Sequence, residues 1–224
     1  MRIKAAETLA GIGAPAMSTV PILLERLAQK PTAEDPRGME QRYLCVSVFG
    51  KMLKQSLVGV DQDLLRKAVV AGLQNQDGHA RGEISGIYRQ LSYEQIKPLF
   101  PAILQAIIEP APSGEMFADG IRLEGLRILA KHHVEEGISA CVKYTRDQNQ
   151  WWSEGRTPEI MMILLSYGTH AKAAIPELTK IAHYFEKEEK DFPPKLMLQK
   201  ANSVRETITA IEASTDSPEL IPLK

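Results

Sequence analysis

The chain has 224 residues, 44% of them hydrophobic, enough to bury a substantial core. Its 27 basic and 28 acidic residues leave a net charge of -1, which excludes a global field favouring nucleic acid or an anionic membrane. No apolar run approaches the roughly 18 residues that span a bilayer, and "MRIKAAETLAGIG" is too polar for the apolar region of a secretory leader.

Taken in chain order, the predicted elements are all helices, because apolar residues recur at i, i+3, i+4 and i+7. After "RIKAAETLAGI", a second helix carries Val20, Leu23, Leu24 and Leu27. The next pair uses Cys45, Val48, Phe49, Met52 and Leu53, then Leu64, Leu65, Ala68, Val69 and Leu73. A third reads Ile84, Ile87, Tyr88 and Leu91, followed by Ile96, Leu99, Phe100, Ile103, Leu104 and Ile107. Leu126 and Leu129, then Ile138, Cys141 and Val142, form a fourth pair. Ile160, Ile163, Leu164 and Tyr167, then Ile175, Leu178, Ile181, Ala182 and Phe185, form a fifth, and a final helix covers roughly 194 to 213. Breaks are predicted at "PTAEDPRG", "NQDG", "EPAPSG" and around "SEGRTP". No segment alternates with period two, so the expected class is all-α.

One element occurs twice: "GIGAPAMSTVP" from residue 11 and "SYGTHAKAAIP" from residue 166. At an offset of 155, Leu9, Gly13, Ala16, Val20, Pro21 and Leu23 fall on Leu164, Gly168, Ala171, Ile175, Pro176 and Leu178. Four units in that span give a period of about 39, within the range of helical repeats. Each part has a physical role. The glycine closes a first helix in a left-handed conformation, the alanine fits a tight turn, and the proline enters a second helix where no N–H is needed.

This element, together with "RIKAAETLAGIG" at 2–13 and "NQDGHARGEI" at 75–84, where Asp77 and Arg81 stand as an Asp-then-Arg opening, resembles the HEAT repeat family. The resemblance covers about residues 1 to 190, with long spacers at 31–38 and 147–156 as departures from the pattern. It implies a right-handed α-α superhelix, an armadillo-type α-solenoid of about five HEAT-like helix pairs plus a C-terminal helix. One domain would cover 1–213, followed by a tail at 214–224. The second helices would line the concave face, carrying Glu25, Arg26, Arg66, Lys67, Glu94, Gln105, Lys143, Tyr144, Lys180 and Tyr184. Their mixed charge suits a protein or peptide better than a polyanion. The chain begins inside a repeat without a polar capping helix, so we expect the C-terminal part of a longer protein, with its natural end near Lys224.

Signatures of chemistry are sparse. Cys45 and Cys141 lie in apolar helical patterns and read as buried thiols, which favours a reducing, cytoplasmic setting while leaving open an export signal before this fragment. The histidines, among them the adjacent His132 and His133, form no metal motif, so neither a metal nor a cofactor is expected. "GIGAPA" lacks the Lys-Ser/Thr of a phosphate loop, and "EKEEKD" reads as a solvated helix end. The stretch "YTRDQNQWWSEGR" supplies the candidate partner-binding residues Tyr144, Arg146, Trp151, Trp152 and Arg156. Two readings stand for the tryptophans: anchors for a partner, or a hydrophobic plug on the fourth helix pair.

The expected function is a non-enzymatic scaffold that presents a curved surface to a protein or peptide partner, or to other domains of its own chain. The alternative is an enzyme on this fold, such as an alkyl-base DNA glycosylase-like or bilin lyase-like protein. In a glycosylase, Asp147 would stabilise a cationic transition state beside Trp151 and Trp152, but the basic groove that DNA requires is at odds with the charge balance.

Overall fold

Amphipathic stripes become helices wherever a start signal and an apolar face coincide, and in this chain proline supplies several of the starts. The computed structural model describes residues 2–29, 38–54, 56–109, 119–148, 153–187, 189 and 192–223. Its α-helices are α1 (Arg2–Ile12), α2 (Val20–Leu27), α3 (Met39–Ser47), α4 (Gln62–Leu73), α5 (Gly78–Ile84) and α6 (Tyr93–Ile96). They continue with α7 (Phe100–Ile108), α8 (Glu124–Lys131), α9 (Glu136–Asp147), α10 (Ser153–Leu165), α11 (Ile175–Lys187) and α12 (Pro194–Ala213). The protein is all-α: the described residues contain no strand beyond an isolated bridge between Val134 and Ile221.

Pro21, Pro101 and Pro176 each occupy the second residue of a helix, α2, α7 and α11, and each helix continues directly from a 3-10 turn. A proline there breaks no intrahelical bond and fixes the backbone for the turn that follows. Asp61 and Asp77 start α4 and α5 in the other common way, their carboxylates accepting the Leu64 and Ala80 N–H groups at 2.7 and 3.0 Å. Both motif glycines take positive φ, Gly13 at 74° and Gly168 at 58°. Gly13 departs from the expected left-handed helical form, since its ψ of -133° lies in a region open essentially to glycine alone. The motif alanines, Ala16 and Ala171, are buried in the 3-10 turns.

Packing divides the chain into two units, residues 1–125 and 126–224, which part inside α8. In the first, α1 packs on α3 and α3 on α5, while α2 packs on α4 and α4 on α7. Arg81 ties the connections together: it is buried, with Nε donating to the Asn75 carbonyl at 2.5 Å and Nη1 to that of Glu109 at 3.0 Å. Arg42 reaches Asp77 at 3.4 Å and so links α3 to the start of α5. In the second unit, α9 packs on α10 and α11, and α12 packs on α10 and α11.

The predicted break around "SEGRTP" is a correction. Ser153–Leu165 is one continuous helix with Pro158 inside it. The price is the missing bond to the Glu154 carbonyl, and Glu154 and Pro158 are both exposed, so water can satisfy that group. Two stretches expected as plain α-helix tighten or loosen instead: Val48–Met52 is a π turn and Ser85–Gln90 a 3-10 turn.

The two motif glycines make a paired prediction. An added Cβ meets nothing within 4 Å at Gly13, whereas at Gly168 it would overlap the Asp216 carbonyl. Urea denaturation of Gly13→Ala should show a loss of about 1–2 kcal/mol, from its backbone conformation alone. Gly168→Ala should lose more, about 2–3 kcal/mol.

Candidate functional site

Along α9 and its start, Glu135, Ile138, Ser139, Val142, Lys143 and Arg146 recur at helical spacing and form one stripe. Across from them stand His170, Ala173 and Ala174 of the turn before α11, then Glu177 and Ile181 of α11 itself. Between the stripes lies a groove of about 900 Å³, with Leu220 of the C-terminal segment in its wall. The opposite sides of the same helices supply the core through Cys141, Tyr144, Leu178, Ala182 and Phe185. The 3.6-residue period therefore divides each helix between stability and surface.

Charges around the groove are mostly engaged. Lys143 pairs with Asp147, and Lys180 with Glu177 at 2.9 Å. The Arg146 guanidinium lies 4.8 Å from the centre of the Tyr184 ring, a cation–π contact, while the Tyr184 hydroxyl donates to Glu189 at 2.7 Å. Ile138, Val142, Ala173, Ala174, Ile181 and Leu220 provide apolar lining between these polar rims. Such a surface offers burial to an apolar side chain and orientation through its rim.

The first unit has a smaller cavity of about 560 Å³, lined by Arg66 and Lys67 together with the amides of Gln29, Gln41, Gln74, Asn75 and Gln76. Both cavities thus draw on helices whose polar residues the sequence singles out. Neither cavity is lined by a cysteine among the described residues: Cys45 and Cys141 are fully buried, and desolvation pushes both thiols well above their usual range. No group of three or more His, Cys, Asp or Glu residues able to hold a metal ion occurs among the described residues.

Of the predicted partner-binding residues, Arg146 is exposed and lines the groove. Tyr144 and Arg156 are buried, at 2% and 8% exposure, and contribute to the interior. Trp151 and Trp152 lie outside the described residues.

Two participants escaped the sequence reading. His170, which takes the place of Pro15 in the motif copy, donates from Nε2 to the Pro218 carbonyl at 2.8 Å. Lys200 of α12 is 1% exposed, with its ammonium 4.1 Å from the Phe185 ring centre. Its position was signalled by spacing, three residues after Met197 and four before Val204, on the apolar stripe of α12. Burial, reinforced by Arg156 and opposed by Glu189, lowers its pKa to about 8.

No protein-family model, curated protein or solved structure matches this chain.

Lys200 yields a pH prediction. Its folded pKa of about 8 lies below the ordinary 10.5, so between those values the unfolded chain binds more protons. Its contribution to stability therefore improves as pH rises through that window. Chemical denaturation should find Lys200→Met more stable than the parent by about 1–3 kcal/mol at pH 7, with the advantage shrinking from pH 8 to 10. A difference that is flat with pH would contradict this assignment.

Proposed function

We propose that the chain is a non-enzymatic protein-binding module of the HEAT type, in which helix pairs stack as a right-handed α-solenoid and present the faces of their second helices to a protein partner. The alternate-helix packing within each unit supports this reading: α2 against α4 and α4 against α7 in one, α9 against α11 in the other. The recurrent proline-started helices α2, α7 and α11 support it further, since they are the second members of the proposed pairs.

The observation that carries the functional half is the groove between α9 and α11. It combines apolar lining with charges of both signs, Glu135, Glu177, Lys143 and Arg146, of which Lys143 pairs with Asp147 and Glu177 with Lys180. That composition fits a protein segment with its own apolar stripe and mixed charge. It gives a polyanion no continuous basic track.

The test is site-specific photo-cross-linking in a lysate of the source cells. A cross-linker at Ser139 or Ala173, both exposed in the groove, should capture a discrete partner, while one at exposed Glu206 on α12 should not. Val142→Glu combined with Ala173→Glu should cut the groove cross-link at least tenfold with helical circular dichroism unchanged. Equal capture at Glu206, or capture indifferent to the double substitution, would remove the groove from the account.

A further inference from the structure

Beyond α12 the chain turns extended, with Ser214 at φ -66° and ψ 136°, and runs back over the second unit. Its attachments are largely main-chain. The Thr169 N–H donates to the Asp216 carbonyl at 2.7 Å, and His170 Nε2 to that of Pro218 at 2.8 Å. The Ile221 N–H donates to the His133 carbonyl at 2.9 Å, and the Ile221 carbonyl accepts from the Glu135 N–H at 3.0 Å, forming a parallel bridge. Both carboxylate oxygens of Glu136 face the Leu223 N–H, at 2.9 and 3.1 Å.

The seat is shaped for this segment. His133 takes a positive φ of 48°, rare for a residue with a side chain, in the turn where its carbonyl accepts from Ile221. At Gly168 any side chain would collide with the Asp216 carbonyl. The segment itself is lightly held, since Leu220, Ile221 and Leu223 are only half-buried and Glu219 and Pro222 are exposed. An element fastened by backbone hydrogen bonds with little apolar burial opens locally without unfolding the core.

We propose that residues 216–223 are a peptide ligand bound in cis, and that their seat is a docking site for an extended segment of a partner protein, which enters the groove by displacing them. The inference rests on the groove reading above, because Leu220 forms part of the groove wall. The chemistry of the occupant follows from that of the tail. It is an extended stretch with apolar residues where Leu220, Ile221 and Leu223 stand, carbonyls for Thr169 and His170, and an N–H for Glu136. Recognition through the main chain gives affinity, and the apolar positions give selectivity.

The experiment uses the full chain and a fluorescently labelled peptide of its own residues 214–224. Leu220→Asp/Ile221→Asp undocks the tail, and Ile221→Pro does so without added charge by deleting the bridging N–H. Either variant should bind the peptide in fluorescence anisotropy at least tenfold more tightly than the wild type, whose seat is filled. Adding Glu136→Ala should weaken that binding, and a scrambled peptide should not bind. Two folded variants that both fail to bind, or a wild type that binds equally well, would overturn the proposal. So would a wild-type dimer that the undocking variants lose, since the tail would then belong in a second copy. Cross-linking at Ser139 without peptide binding refutes only this inference, whereas peptide binding without groove cross-linking keeps the tail as a ligand in cis and removes the groove reading together with the partner's entry.

Discussion

Each amphipathic helix in this chain has more apolar surface than one neighbour can cover, and that constraint organises both units. α4 shows it plainly: Leu65, Ala68, Val69, Gly72 and Leu73 are buried, and the helix packs on α2, α3, α5 and α7. Gly72 sits against Ile84 of α5 and Cys45 of α3, so even a methyl group there would force its neighbours apart. Stacking on alternate helices satisfies the need for burial while leaving one stripe of each helix for solvent.

The groove between α9 and α11 is a by-product of that division of labour. Residues of α9 facing the core, such as Cys141 and Tyr144, hold the helix in place, while Ile138 and Val142 on its other side remain half-exposed. The proposed binding role falls to side chains that the core does not use. Arg146 fits this description, being exposed and stacked on Tyr184, whereas Arg81 is its counterpart in reverse, a charged side chain spent entirely on carbonyls of the connecting segments.

Much of the fold was legible because it depends on local signals. The Gly-x-x-Ala-x-x-x-Val/Ile-Pro element marked two helix entries, and the 3.6-residue period located α12 to within a residue of Pro194–Ala213. Pro158 misled because a proline in an exposed helix face costs a bond that water can replace, and tertiary burial of Thr157, Ile160 and Met161 outweighs that loss. The tail was illegible for a different reason. "SPELIPL" does read as extended chain between two prolines, but its seat joins the start of α9 to the turn before α11, a juxtaposition that only the folded unit creates. Tyr144 shows the same limit, since its spacing on α9 was compatible with surface or interior until the packing of α9 fixed it as buried.

Amide hydrogen exchange followed by mass spectrometry tests the stacking account most directly, because protection should track how many faces of a helix are covered. α4, packed on four other helices, should exchange only through the opening of its whole unit. α1, whose Ile3 and Leu9 are half-exposed and Ile12 largely exposed, should exchange at least tenfold faster. Equal protection of α1 and α4, or faster exchange in α4, would contradict the claim that neighbouring helices stabilise one another by mutual burial.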